Sequence, residues 1–173
     1  MAIPYSTSNA AGFAFSQTFT PPAAGSYNTG QLAPVAIGTI ADGTDGSKWV
    51  YVLFGVGGVT GLGYSVVVDE DFLAVMMSNS VGALGDKVAV APAVAAAGDY
   101  GWVQMYGTCD AIQVSASAAA NVPLASTVTA GQLDDAVANP TKNITGMWLT
   151  TARAASAGTA PGYLNWPTVG TTN

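Results

Sequence analysis

Trp49-Val-Tyr-Val-Leu-Phe-Gly-Val-Gly-Gly-Val-Thr-Gly-Leu-Gly-Tyr-Ser-Val-Val-Val68 decides how the chain is read, because three incompatible structures compete for it. It carries no charge and has glycine at positions 55, 57, 58, 61 and 63. A dinucleotide-binding turn needs a strand, a glycine turn and then a helix whose amino end faces a pyrophosphate. Gly55, Gly57 and Gly61 supply a loose version of that spacing, but Ser65-Val-Val-Val68 follows at once, and consecutive β-branched residues favour a strand over the required helix. For a membrane span the length suffices, and Gly57 and Gly61 form a G-x-x-x-G pair. Each glycine, however, penalises a helix by about 1 kcal/mol. The reading adopted is a strand, a glycine link and a second strand, with Gly57-Gly58 at a bend or bulge. The glycines then serve backbone geometry, and no cofactor is expected.

Working outward, short β-like runs recur between turn residues. Candidate strands are 35–40, 49–54, 64–68, 87–90, 102–106, 111–115, 126–129 and 144–152. Asp42-Gly43, Asp45-Gly46, Gly85-Asp86, Gly98-Asp99 and Ala130-Gly131 mark turns. Alternation in Trp102-Val-Gln-Met-Tyr106 predicts a half-buried strand, with Trp102, Gln104 and Tyr106 on one face. Residues 71–79 suit either a helix started by an aspartate cap or a buried strand. The alanine-rich pieces 91–97 and 116–120 have helical propensity, but Pro92, Val94, Gly98 and the flanking strands make them loops or compact strands. The expected fold is all-β, an antiparallel β-sandwich or barrel-like domain over residues 35–173 with an extended N-terminal arm over 1–34.

That arm contains Pro4, Pro21, Pro22 and Pro34, with Tyr5, Phe13, Phe15 and Phe19 as its aromatic residues besides Tyr27. Such rings would be wasted on a solvated tail, so Tyr5, Phe13, Phe15 and Phe19 are the candidate interface with a neighbouring subunit. A first core strand with Phe13 and Phe15 inward is the competing reading.

Of 173 residues only 8% are charged, against about 25% in an ordinary soluble domain. Four Lys and Arg and ten Asp and Glu are too few to wet a free-standing surface, which points to coverage by other subunits. Ser, Thr, Asn and Gln supply polarity in the alternative reading. Lys48, Lys87, Lys142 and Arg153 form no basic stripe, so neither nucleic acid nor a membrane surface is an expected partner. No charged side chain precedes Asp42, so the amino terminus has no basic flank of a secretory signal.

The chain has no histidine, which removes the commonest general base and metal ligand. Cys109 is the only cysteine, read as a small buried residue, and Glu70 is the only glutamate. Asp69-Glu70-Asp71 and Asp42-Gly-Thr-Asp45-Gly fall short of a calcium-loop pattern and are read as solvated turns, as is Asp134-Asp135. No catalytic residue, metal site or cofactor site is expected. Asn143-Ile-Thr145 matches a glycosylation sequon and is set aside. Trp102, Trp148, Tyr163 and Trp166 suit core or interface packing, or a sugar-stacking platform, and Tyr106 joins Trp102, Trp148 and Tyr163 where an adhesin would contact sugar.

Ala97-Gly-Asp-Tyr-Gly-Trp-Val-Gln104, Ala130-Gly-Gln-Leu-Asp-Asp-Ala136, Ile144-Thr-Gly, Thr151-Ala-Arg-Ala-Ala-Ser and Leu164-Asn-Trp-Pro167 span roughly residues 85 to 167. This wording resembles the small head decoration, or cement, proteins of tailed bacteriophages. The resemblance implies a β-rich non-enzymatic virion protein on the capsid surface. Its implied partners are the major capsid protein and neighbouring copies of itself, with shell stabilisation as its work. It carries no ligand residues across. A fibre or adhesin module binding a receptor or glycan is the alternative, and a carboxylate hydrolase built on Asp69–Asp71 and Asp134–Asp135 a third.

Overall fold

In the computed structural model, which describes residues 14–22, 33–135 and 141–172, the uncharged stretch forms two strands joined by a glycine link. The strands in chain order are Thr18–Phe19 (β1), Ile40–Asp42 (β2), Lys48–Phe54 (β3), Ser65–Val68 (β4), Leu73–Met76 (β5) and Lys87–Val90 (β6). Tyr100–Val114 (β7), Leu124–Ser126 (β8), Leu133–Asp134 (β9), Lys142–Leu149 (β10) and Gly158–Thr172 (β11) complete them. No helix occurs among the described residues, and the fold is all-β. The sheet is mixed rather than purely antiparallel: β5 runs parallel to β3 and β9 parallel to β7.

The pairings close two circuits that share β7. One runs β7–β3–β5–β4–β6 and back to β7, the other β7–β9–β8–β10–β11 and back. Each circuit encloses an apolar cluster. Val50, Val52, Phe54, Val66, Val68, Ala89, Val103 and Met105 fill the first. Val67, Val88, Val90, Ile112, Leu124, Ile144, Met147, Leu149 and Leu164 fill the second. β4 and β6 therefore act as a partition, sending Val66 and Val68 to one core and Val67 to the other. This explains why Ser65-Val-Val-Val68 has no polar alternation: both of its faces are dry.

β7 shows the same effect. Trp102 to Met105 are buried on both faces rather than half-buried, because Val103 and Met105 face the first core while Trp102 meets a separate aromatic cluster. The two predicted strands 102–106 and 111–115 are one strand. It bends at Gly107, at φ 96°, where a Cβ would stand 2.9 Å from the Ser47 Cα. Buried Gln104 clamps this bend, its Nε2 donating to the carbonyls of Tyr106 at 3.1 Å and Thr108 at 2.8 Å.

Other boundaries shift for local reasons. Residues 35–39 turn rather than extend, with Gly38 packed under the Phe72 ring, and β2 starts only at Ile40. The 126–129 strand lies at Leu124–Ser126, and the 144–152 strand at Lys142–Leu149. Residues 71–79 contain a strand, not a helix: Asp69 Oδ1 accepts from the N–H groups of Asp71 at 3.0 Å and Leu73 at 2.9 Å, a turn that feeds β5.

Candidate functional site

Of the predicted interface residues, Tyr5 and Phe13 lie outside the described residues, whereas Phe15 and Phe19 can be placed. Phe15 is 1% exposed. It stacks on Trp49 with ring centroids 4.5 Å apart and meets Trp102 edge-on at 5.4 Å. Trp49 is held in turn by its Nε1, which donates to Ser47 Oγ at 2.6 Å, and Ser47 is fixed by Asp45. Ala41 and Tyr51 complete this cluster on the outer side of β3 and β7. Burial, with Tyr100 adding to it, pushes the Tyr51 phenol up to about 12. Phe19 is only half-buried; it leans on Tyr100 at 6.3 Å, and β1 pairs with the start of β7. The Phe15 ring is thus used within its own chain.

A different surface carries unpartnered apolar side chains. The β3–β4 link and the 91–98 loop lie together at one end of the first circuit, stitched by Val59 N–H to Ala95 carbonyl at 2.8 Å and the reciprocal bond at 3.0 Å. Gly58 makes the close approach possible, since a Cβ there would stand 2.2 Å from the Ala95 carbonyl oxygen. The tips of these loops expose Val56 at 89% and Val94 at 60%, with Leu62 on the same link. Neither 49–68 nor 88–98 contains an ionisable acid or base of the Asp, Glu, Lys or Arg type. The large side chains that this end exposes are apolar, and this exposed set is the apolar cap referred to below. Sequence reading missed it because an exposed valine and a buried one look alike in a charge-free run.

Four further aromatic residues form a row on the outer face across β10, β11 and β7. Trp148 stacks on Tyr163 at 5.3 Å and 28°, Tyr163 meets Tyr106 at 5.9 Å, and Tyr106 meets Trp166 at 6.1 Å. A hydrogen bond with Tyr106 holds the Tyr163 phenol above its ordinary value. Three of the four platform aromatics, Trp148, Tyr163 and Trp166, are therefore brought together, joined by Tyr106. Trp102 is not among them, being 2% exposed in the cluster around Phe15.

Several carboxylates are tied into turns. Asp45 accepts from Ser47, Asp86 from the Ala83 N–H at 2.6 Å, and Asp99 from the Ala96 N–H at 2.9 Å, while Asp42 pairs with Lys48. Among the described residues no three His, Cys, Asp or Glu side chains gather as metal ligands, and no helix is long and apolar enough to cross a membrane. Cys109 lies in the second core, where burial pushes its thiol up to about 12. No protein-family model and no curated protein matches the chain.

Proposed function

We propose that this chain is a structural shell subunit, a capsid decoration protein that binds and stabilises the major capsid layer of a virion, and that it is not an enzyme. The observation that carries the reading is the apolar cap of Val56, Leu62 and Val94, set on a chain with too few charges to leave it in water. The tying of Asp45, Asp69, Asp86 and Asp99 into turns and the bacteriophage-like wording of roughly residues 85–167 support it. Symmetry-related copies meeting a shell repeat the same small contact many times, so modest apolar area per copy suffices.

Val56→Asp with Val94→Asp tests this. Burying a valine contributes about 1.5 kcal/mol or more, so losing two costs about 3 kcal/mol, roughly a hundredfold in affinity. Occupancy of the doubly substituted chain on purified heads, measured by titration and electron microscopy, is expected to collapse while its melting temperature stays unchanged. Undiminished occupancy would sink the assignment of this cap as the binding face. Absence of the parent chain from intact heads would sink the decoration function itself.

A further inference from the structure

The row of rings on the outer face runs into a groove of about 460 Å³ beside β10. β8 pairs with β10 only at Asn143↔Ala125 and Ile144↔Leu124. Just before β8, Pro123 has no N–H with which to extend the ladder. Asn121, at φ 60°, curls away, and its N–H reaches the Leu149 carbonyl at 2.9 Å. Thr145 to Trp148 therefore have β11 on one side and an open groove on the other.

In a row of rings the inner members spend their surfaces on each other, and a terminal ring keeps one face. Trp148 is such a ring: Tyr163 stacks on it from β11, and Trp148 is also one of the residues that line the groove. Asn121, Pro123 and Thr145 line the same groove. We propose that this groove binds a neutral pyranoside, with one C–H face of the sugar ring on the Trp148 indole and its hydroxyls on the Asn121 amide and on the Thr145 hydroxyl, which also shares a hydrogen bond with Thr168 Oγ1 at 2.7 Å.

Three observations favour a small neutral sugar over other occupants. The groove lies within the range of about 300–1,000 Å³ typical of small-ligand sites. Its open strand edge, residues 145–148, is shorter than a typical strand of about 5–6 residues, so an added peptide strand, which draws its affinity from successive backbone hydrogen bonds, has little to pair with. None of the lining residues is ionised, so a nucleotide or other anion finds no counter-charge there. The backbone at the other end of the row adds a fourth point. Trp166, 44% exposed, sits at φ 48° opposite the irregularity between Thr145 and Met147. A bulky residue in that region is strained, and such strain persists where surrounding structure holds a side chain for use. Gly146 makes room for it, since a Cβ there would stand 2.6 Å from the Asn165 carbonyl oxygen.

Saturation-transfer NMR on the full chain, with glucose, galactose, N-acetylglucosamine, cellobiose, maltose and chitobiose as probes, decides the matter. At least one sugar is expected to receive saturation, strongest on the protons of one ring face. Trp148→Ala is expected to weaken its affinity about tenfold, equivalent to ~1.4 kcal/mol, and Trp148→Phe to keep most of it. Where Trp148→Ala does not fold, exposed Asn121→Ala serves instead, with a loss of several-fold expected. No transfer to any of these sugars at about 10 mM, where even a millimolar site is mostly filled, overturns the proposal. So does unchanged binding in a folded Trp148→Ala or Asn121→Ala chain, or a peptide that occupies the groove where no sugar does. The apolar cap is a separate surface, so none of these outcomes bears on capsid binding.

Discussion

Phe15→Ala measures whether the amino-terminal segment belongs to the domain or is held for a neighbour. The ring is 1% exposed, stacked on Trp49 at 4.5 Å and edge-on to Trp102 at 5.4 Å. Burying a phenylalanine contributes about 1.5–3 kcal/mol, and each aromatic pair adds about 0.5–1.5 kcal/mol. Phe→Ala at a well-packed site accordingly costs about 3–5 kcal/mol. The hole here borders a two-residue strand that can shift to narrow it, so we place the loss near 3 kcal/mol, on the order of 10 °C in melting temperature for a chain of this size. The assay is urea unfolding followed by tryptophan fluorescence, since Trp49 and Trp102 both lose a ring neighbour and their emission is expected to shift to the red. Phe19→Ala, which removes only a tilted contact at 6.3 Å with Tyr100, is expected to cost about 1 kcal/mol. A Phe15→Ala chain within about 0.5 kcal/mol of the parent but absent from purified heads would refute the reasoning. It would show that the ring works between subunits and that the intramolecular cluster is dispensable.

Two other perturbations probe the interior. Ser65 is fully buried between the two cores and its hydroxyl has no hydrogen-bond partner among the described residues, so Ser65→Ala is expected to raise stability by about 1 kcal/mol in chemical denaturation; a loss of similar size would reveal a partner for that oxygen. Cys109 is expected to resist alkylation at neutral pH in the folded chain. With its thiol raised from 9.0 to about 12, the folded state keeps a proton that the unfolded state releases, so stability falls as pH rises through that window, Tyr51 acting in the same direction. Denaturation at neutral pH and near pH 11 checks the sign, and a flat profile, or rapid native-state labelling, would contradict the burial.

The strands on either side of the glycine link were legible because β-branched and aromatic runs leave no other economical structure. β11 was not. No candidate strand falls beyond residue 152, where Pro161, Gly162, Pro167 and Gly170 interrupt any β-branched run, yet Pro161 and Pro167 stand beside ladder irregularities where a missing N–H costs little. β7 looked like two strands because Gly107 reads as a break. Only its register against β3 before the bend and β11 after it joins the halves. Likewise, the aromatic platform was guessed by residue type, but which rings share a face depends on cross-strand register: Trp148↔Tyr163 and Asn165↔Tyr106 gather four, while Trp102 points into another cluster.

Composition and local pattern alone determined that this chain is β-rich, holds no histidine, and carries charge on only 8% of its residues. Those properties depend on residue type and near-neighbour spacing. The three-dimensional arrangement decided which apolar residues are core and which are surface. Val66 and Val67 lie in different cores, and Val56 in neither, although the three read alike in sequence. Burial is set by strands far apart in the chain, and the closing of two circuits around β7 is a long-range event that no window of sequence contains.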